Sequence, residues 1–288
     1  MARYAYVNGR YVPHDEGTVH IEDRGYQFAD GVYEVIPIID DRMVDAAPHL
    51  DRLDRSLSEM NIAAPLSRKV LELVMRELIE RNGVSEGLIY MQVTRGVAPR
   101  DHKFPKGVRP SIVMTTKKVD FLSQKKLSDG VKVITIPDIR WERCDIKTIS
   151  LLPNCMAKTQ AFEAGAYEAW QVDGDGNVTE GASSNAWIVT ADGKLLTRPA
   201  THDILRGVTR QSLLRIAAEE GLSFEERPFS VEEAKTAREA FVSSATSFVT
   251  PVVQIDDTVI GNGGPGILSG RLQGWYLDYC AGLNTKER

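Results

Sequence analysis

The sequence predicts an α+β protein of two domains, and three observations support this fold class. Strand-like alternation and helical spacing of apolar residues both occur within the 288 residues. The two patterns do not alternate regularly, which argues against a doubly wound parallel sheet. A polar stretch at residues 119–130 separates two regions. We therefore expect a small N-terminal domain at 1–118, a connector at 119–130 and a larger C-terminal domain at 131–288.

The first domain is expected to begin with a β-hairpin and to contain two helices. Asn8-Gly9 between two short strand-like segments is a strong signal for a tight turn. Asn82-Gly83 predicts the end of the second helix. The expected strands are Tyr4–Val7, Arg10–Val12, Gly31–Ile36, Leu88–Thr94 and Ser111–Thr116. Helical spacing is shown by Leu50, Leu53, Leu57 and Met60, and then by Leu71, Val74, Leu78 and Ile79.

The second domain is expected to mix strands and helices with turns of the Gly-Asp-Gly type between them. Its expected strands are Val131–Pro137, Tyr167–Val172, Ala186–Thr190, Leu195–Thr197, Phe241–Ser243 and Val252–Ile255. Its expected helices are Met156–Ala164, Arg210–Glu220 and Leu268–Leu283.

Composition excludes several classes of protein. The formal net charge of −5 argues against nucleic-acid binding. No apolar run of membrane-spanning length and no basic, apolar leader is present, so neither a membrane protein nor a secreted one is expected. The three cysteines form no CxxC pair, so no metal site is expected. Widely spaced thiols favour a cytoplasmic location.

Two residues have the chemistry of a catalytic site, although each also has an ordinary interpretation. Lys147 follows the apolar strand Val131–Pro137, where partial desolvation favours a neutral amine that attacks an aldehyde. Most lysines, however, are simply solvated. Glu180 lies in the small, polar segment Val178–Asn185, for which composition alone favours a capped surface turn. The functional interpretation of Glu180 is a carboxylate held under a cofactor ring.

Two further segments could bind anions. Leu205–Arg210 precedes an amphipathic helix for which Thr209 is the expected N-cap. Backbone N–H groups at such a helix start bind phosphate, although an ordinary capped helix is as consistent with the local pattern. Within Pro99–Pro105, Arg100 and His102 point the same way if the segment is extended. They could hold a substrate carboxylate, or the segment could be a solvated loop.

Together these segments resemble the class IV aminotransferases, two-domain α+β enzymes of fold type IV that use pyridoxal phosphate. The resemblance covers most of the chain. Asp23–Glu34 and the Arg100/His102 pair are similar to the D-amino-acid transaminases of that family. The match to the family signature comprises Glu180, Ala182 and Asn185, then Leu195–Thr197, then Leu205–Arg210.

The resemblance implies a role for each matching residue. Lys147 is implied to carry the cofactor and to be the catalytic residue, and Glu180 to pair with the pyridine nitrogen. Tyr33, Arg100 and His102 are implied to hold the substrate carboxylate. Because the Arg/His pair of the family reaches across from a neighbouring subunit, a homodimer is also implied. The implied phosphate ligands are Arg52, Val208 and Thr209, with Ser244 or Thr246 as further candidates.

Three positions depart from the family pattern. Trp187 stands where Phe or Tyr is usual, and Ala182 where D-amino-acid transaminases often have Ser. Ala245 stands where a phosphate-binding Thr is common, so Ser244 or Thr246 would have to compensate.

The implied reaction is transfer of an amino group between a D-amino acid, such as D-alanine, and a 2-oxo acid, such as 2-oxoglutarate. A branched-chain L-amino-acid transaminase and an (R)-amine transaminase are alternatives on the same fold. An aminodeoxychorismate lyase and a non-catalytic binding protein are weaker ones, the latter because Lys147 and Glu180 are both present.

Overall fold

The computed structural model describes residues 3–121 and 123–283, which form two compact units. The first unit runs to Asp120 and also includes Ile146–Leu151, whereas the second contains Phe121–Asp145 and the chain from Leu152 onward. The return of Ile146–Leu151 to the first unit differs from the continuous division expected from the sequence. Residues 1 and 2 of the expected first domain, residue 122 of the expected connector and residues 284–288 of the expected second domain lie outside the described residues.

The first unit contains one antiparallel six-stranded sheet with the order β2-β1-β6-β5-β3-β4. A short 3-10 helix spans His14–Glu16. The strands are β1 (Tyr4–Val7), β2 (Arg10–Pro13), β3 (Gly31–Ile39), β4 (Arg42–Met43), β5 (Gly87–Thr94) and β6 (Ser111–Lys118). The helices are α1 (Arg24–Phe28), α2 (Ala46–Glu59) and α3 (Arg68–Asn82).

The hairpin and the two longer helices confirm the sequence patterns that predicted them. Asn8 and Gly9 have φ angles of 46° and 97°, which a tight β-hairpin turn requires. Helix α3 ends at Gly83, whose left-handed φ of 53° suits a glycine C-cap. The apolar faces of α2 and α3 pack on the sheet, and their largest fully buried residues are Leu50, Met75 and Leu78.

The second unit contains a mixed nine-stranded sheet with the order β12-β11-β10-β13-β14-β7-β8-β9, and β15 pairs with β14. The pairs β7/β8, β7/β14 and β11/β12 are parallel, and the other pairs are antiparallel. The strands are β7 (Val131–Pro137), β8 (Glu168–Val172), β9 (Val178–Gly181), β10 (Asn185–Val189), β11 (Leu195–Thr197), β12 (Phe224–Glu226), β13 (Glu239–Ser244), β14 (Phe248–Ile255) and β15 (Thr258–Val259). The helices are α4 (Lys125–Asp129), α5 (Leu152–Glu163), α6 (Val208–Glu219), α7 (Val231–Lys235) and α8 (Ile267–Cys280).

Two local expectations were wrong. Val178–Gly181 is not a surface turn but the fully buried strand β9. Its polar residues are buried because β8 and a set of side-chain hydrogen bonds satisfy them. Thr209 is not the N-cap of α6, which is Gly207; Thr209 lies inside the first turn. The α+β class itself is confirmed, and no helix in the described ranges is both long and apolar enough to cross a membrane.

Helix α8 begins at a buried carboxylate. Glu239 of β13 accepts hydrogen bonds from the backbone N–H groups of Leu268 and Ser269 at 2.9 and 2.8 Å, and from the Ser269 hydroxyl at 2.9 Å. Acidic groups at a helix N-terminus are stabilising because they satisfy orphan donors and oppose the helix dipole. Gly266 makes this approach possible, since a Cβ there would lie 2.0 Å from a Glu239 oxygen.

We therefore predict that Gly266→Ala lowers the free energy of unfolding by about 2 kcal/mol, because Glu239 must leave donors that it now satisfies. Urea denaturation measures this change. Gly270→Ala in the same helix is the matched control, since a Cβ there meets nothing within 4 Å. It should raise the free energy of unfolding by about 0.5–1 kcal/mol through helix propensity. Equal effects of the two variants would contradict the proposed role of the Glu239 cap.

Candidate active site

The backbone of Lys147 is fixed by two elements of the first unit. The Lys147 carbonyl accepts a hydrogen bond from the Tyr33 N–H at 3.0 Å, and Thr148 forms an antiparallel bridge with Val32 on the same strand, β3. The Lys147 N–H donates to the Ser56 hydroxyl of α2 at 3.3 Å. The side chain is half-buried, and its Nζ lies 4.2 Å from the centroid of the Tyr33 ring. Lys147 and Tyr33, both singled out in the sequence, are therefore in contact.

A fully buried carboxylate lies on the opposite side of β3 from Tyr33. Glu34 accepts two hydrogen bonds of 2.7 Å from Arg52, one on each oxygen, and its Oε2 lies 2.7 Å from His49 Nδ1. Burial raises the pKa of Glu34, but the Arg52 charge and the hydrogen bonds from Arg52 and His49 lower it by more, to about 2. Glu34 is thus ionised and holds the Arg52 guanidinium in one orientation.

His49 belongs to the same cluster as an uncharged ring. Burial lowers the pKa of His49, and the positive charges of Arg52 and Lys147 lower it further against the opposing effect of Glu34. Because the ionised Glu34 carboxylate can only accept, we assign the ring hydrogen to Nδ1 of His49. Neither Glu34 nor His49 was singled out in the sequence, although Glu34 directly follows Tyr33 and His49 lies three residues before Arg52.

Strand β5 supplies polar side chains beside Tyr33. Gln92 is the cross-strand partner of Tyr33, and the Tyr90 ring lies 5.8 Å from the Tyr33 ring. The Tyr90 hydroxyl donates to Gln92 Oε1 at 2.7 Å. Burial raises the pKa of Tyr90 to about 12, and Tyr33 adds to the rise. The alternation Leu88, Tyr90, Gln92 carried this signal, because a period of two places these residues on one face.

Arg100 and His102 are exposed side chains that rest on the same aromatic ring. The Arg100 guanidinium carbon lies 4.9 Å from the Phe28 ring centroid, and the His102 ring centroid lies 5.6 Å from it. The sequence expectation of a common orientation assumed an extended segment, whereas the chain bends at Arg100 and at His102 and both side chains meet Phe28. In the described part of the chain neither residue hydrogen-bonds to Tyr33, so a single copy presents the Arg100/His102 pair and Tyr33 as separate groups.

Glu180 in the second unit is a buried carboxylate surrounded by donors. Its Oε1 accepts from Arg140 Nη1 at 2.5 Å and its Oε2 from Asn185 Nδ2 at 2.9 Å. The Leu205 N–H lies 3.1 and 3.2 Å from the two oxygens. Burial raises the pKa of Glu180, and Arg140 and the Leu205 N–H oppose that rise. The first and third parts of the sequence signature, which contain Glu180 with Asn185 and Leu205, therefore meet at one carboxylate.

Glu180 shares Arg140 with a second carboxylate, Asp138, and the sequence interpretation did not identify Arg140. Arg140 Nη2 donates to Asp138 Oδ2 at 2.7 Å and its Nε to Oδ1 at 2.9 Å. Burial lowers the pKa of Arg140, but Glu180 and Asp138 raise it by more. The available signal was the pair Asp138 and Arg140, which lies one and three residues after the end of the apolar strand β7.

Helix α6 begins without a side-chain cap. Its N-cap is Gly207, which has no side chain to accept from the first backbone N–H groups, and these include the N–H groups of Val208 and Thr209. A Cβ on Gly207 would lie 2.1 Å from the Asn185 side-chain oxygen. The helix start therefore packs directly on the residue that binds Glu180. The Thr209 hydroxyl is buried 3.3 Å from that of Tyr276.

The turn between β13 and β14 contains Ser244 and Thr246. Ser244 Oγ lies 2.6 Å from Ser247 Oγ and accepts from the N–H groups of Thr246 and Ser247 at 3.3 and 3.1 Å. Ser244 thus organises the turn around Ala245. Trp187, another departure from the family pattern, is fully buried and donates from Nε1 to Ser243 at 2.8 Å.

We predict that Glu34 makes stability depend on pH in an acidic window. Its pKa is about 2 in the folded chain against an ordinary 4.5, so its contribution is complete above pH 4.5 and is lost as pH falls towards 2. Glu34→Gln should lower the free energy of unfolding at pH 7 by about 3 kcal/mol or more, and the deficit should shrink below pH 4.5. Denaturant titrations between pH 3 and pH 7, on the order of five points, measure both effects.

The matched control is Glu77→Gln, which removes an exposed partner of Arg81 on α3. It should change stability by no more than about 0.5 kcal/mol at any pH in this range. A deficit of Glu34→Gln that stays constant with pH would show that Glu34 is not ionised in the folded chain.

Comparison with known proteins identifies the family of the chain. The family model for class IV amino-transferases matches residues 31–255. A D-alanine aminotransferase from Bacillus licheniformis is 42% identical over 266 residues, covering 92% of this chain and 93% of the relative. A D-alanine aminotransferase from Staphylococcus haemolyticus is 41% identical over 275 residues, covering 95% and 96%.

Solved structures share the fold at lower identity. A branched-chain amino acid aminotransferase from Escherichia coli has a TM-score of 0.91 at 23% identity, covering 100% of this chain and 98% of that one. The PLP-bound form of a hypothetical aminotransferase from Mycobacterium tuberculosis has a TM-score of 0.84 at 22% identity, covering 99% and 100%. The fold is therefore that of the fold type IV aminotransferases, and the extent of the family match shows that the chain belongs to the class IV aminotransferases.

Proposed function

We propose that this aminotransferase uses pyridoxal phosphate to move an amino group between a D-amino acid, such as D-alanine, and a 2-oxo acid, such as 2-oxoglutarate. The pairing of Arg100 and His102 on the Phe28 ring carries the substrate assignment, because an Arg fork beside a second donor suits a carboxylate. The two D-alanine aminotransferases at 41–42% identity support the same substrate class.

The residues of the chain fit pyridoxal phosphate. The group supplies an aldehyde and an electron-withdrawing ring that stabilises negative charge at the α-carbon of an amino acid. Lys147 offers a half-buried primary amine for the aldehyde. Glu180 offers a buried carboxylate for a protonated ring nitrogen, a pair that is strong where water is excluded. We assign these two residues to the aldehyde and the ring nitrogen.

The phosphate would be held at a helix start and by a positive charge. The N–H groups of Val208 and Thr209 begin α6 without a side-chain cap, and helix N-termini of this kind bind anions. Arg52, oriented by Glu34, would add a guanidinium. The turn of Ser244 and Thr246 would supply further donors, although Ser244 Oγ already organises that turn.

The proton chemistry would fall to Lys147. Its Nζ would act as general base and remove the proton from the substrate α-carbon. It would then act as general acid and deliver the proton to the carbon of the cofactor's former aldehyde group. Contact with the Tyr33 ring limits the positions that Nζ can take. Arg100 and His102 would fix the carboxylate, and fixing one substituent decides which enantiomer presents its α-hydrogen to Lys147.

A homodimer is part of this proposal. Arg100 and His102 are exposed on a loop that also carries the exposed Phe104, and α1, which supports this loop through Arg24 and Phe28, carries the exposed Tyr26; Tyr26 and Phe104 are 77% and 57% accessible. Such a surface is suited to contact with a second subunit. No disulfide joins Cys144, Cys155 and Cys280, all of which lie among the described residues, and thiols of this kind favour the reducing cytoplasm.

The first test is a single-turnover reaction of the cofactor-loaded protein with D-alanine or with L-leucine, in the absence of an oxo acid. We predict that D-alanine, and not L-leucine, removes the visible absorbance of the bound cofactor. Absorbance against time measures this. Loss with L-leucine alone would instead indicate the branched-chain L-amino-acid reaction.

We further predict that Lys147→Ala abolishes turnover, by at least about 10³-fold, because no other group replaces both its amine and its base. Lys117→Ala, an exposed lysine of β6, is the control and should keep full activity. Steady-state turnover of D-alanine with 2-oxoglutarate measures both variants. Full turnover by Lys147→Ala would refute the assignment of the catalytic lysine.

A further inference from the structure

We infer that Arg24 is a positioning residue for substrate binding, because it holds the loop that presents Arg100 and His102. This inference rests on the proposed role of that pair at the substrate carboxylate. Arg24 is 2% exposed and lies at the start of α1, so it does not itself reach solvent. It would act through the loop rather than on the substrate.

The side chain of Asp30 holds the guanidinium of Arg24 in place through a hydrogen bond. The buried Asp30 Oδ2 accepts from Arg24 Nε at 2.7 Å and from Arg95 Nε at 2.8 Å, and its Oδ1 accepts from Arg95 Nη2 at 3.0 Å. One carboxylate thus shares two guanidinium groups, and the cluster keeps a net positive charge. Arg95 also donates to the carbonyls of Met60 and Asn61 after α2, which ties the cluster to the main body of the unit.

Arg24 also binds the middle of the substrate loop, the segment Pro99–Pro105 that carries Arg100 and His102. Arg24 Nη1 donates to the backbone carbonyl of Asp101 at 2.6 Å, and Asp101 is the residue between Arg100 and His102. From Pro99 the chain has left regular secondary structure, so this bond fixes a backbone that no sheet partner holds. The bond thereby positions the backbone from which the side chains of Arg100 and His102 extend.

The ring of Phe28 completes the support. The Arg24 guanidinium carbon lies 4.6 Å from the Phe28 centroid, against 4.9 Å for Arg100. His102 packs on the same ring. Arg24 therefore touches both the backbone of the loop and the surface on which its two functional side chains rest. Its charge also adds to the positive potential that attracts a carboxylate.

A lysine cannot reproduce this arrangement. Arg24 uses Nε for Asp30 and Nη1 for Asp101, two separate points of one rigid plane, whereas a lysine has a single ammonium nitrogen. Arg24→Lys keeps the charge but loses one of the two contacts. A loop that samples more conformations must be ordered when the carboxylate binds, which weakens binding without changing the chemical step.

The test compares cofactor-loaded variants in steady-state kinetics with D-alanine and 2-oxoglutarate. We expect Arg24→Lys to raise the KM for D-alanine about tenfold, with kcat within about twofold. The rate at which hydroxylamine, an amine without a carboxylate, removes the absorbance of the bound cofactor should be unchanged. An unchanged KM, or a parallel fall in the hydroxylamine rate, would overturn the inference.

Two further variants separate this inference from the proposed function. Arg100→Met should raise the KM at least as much as Arg24→Lys does. If it leaves the KM unchanged, the proposed carboxylate site is wrong and the inference falls with it. If Arg100→Met raises the KM and Arg24→Lys does not, the inference alone is overturned.

Phe28→Leu covers the case in which Arg24→Lys does not fold. Phe28 is half-buried, and leucine preserves most of its apolar volume. Removing the shared ring should raise the KM for D-alanine several-fold, about threefold to tenfold, and leave the hydroxylamine rate unchanged. A KM equal to that of the unsubstituted enzyme would then overturn the inference.

Discussion

The buried carboxylate of Glu34 is the interaction on which the first unit depends. An isolated charge in that position would be very unfavourable, so Glu34 requires Arg52 and His49 of α2 as partners. The cluster therefore fixes α2 against β3. These two elements also bind the backbone of Lys147, β3 through Tyr33 and α2 through Ser56. The Glu34–Arg52 pair thus helps to fix the backbone from which the side chain of Lys147, the proposed catalytic residue, extends.

The buried carboxylate of the second unit, Glu180, has different partners from Glu34 and the opposite direction of pKa shift. Glu34 has Arg52 bound to both of its oxygens, and its pKa falls. Glu180 shares Arg140 with Asp138, and burial raises its pKa. Two carboxylates around one guanidinium leave an excess of negative charge. That excess fits the proposed pairing of Glu180 with a protonated ring nitrogen.

The sequence predicted the long elements well, because their apolar spacing reflects one buried face. The resemblance to the class IV family singled out Lys147, Tyr33 and Glu180, whose roles stay predictions. The sequence interpretation missed β9 because Val178–Gly181 is small and polar, and only the neighbouring strands make such a segment buried. It also missed Arg140, Glu34 and the Arg24–Asp30–Arg95 cluster. Some of the decisive partners are far apart in sequence, 40 residues for Arg140 and Glu180 and 65 residues for Asp30 and Arg95, so no local pattern records these pairings.

The segment Ile146–Leu151 has a consequence for the synthesis of this protein. It covers the Gly31–Tyr33 end of one edge of β3, while β4 covers the Ile38–Ile39 end. A nascent chain that stops before residue 146 therefore exposes unpaired backbone groups on β3, an edge prone to intermolecular pairing. The first unit closes only after Phe121–Asp145 of the second unit has been made. Its completion on the ribosome is thereby coupled to the emergence of its neighbour, and cutting the gene at the boundary near Asp120 would yield a fragment inclined to aggregate.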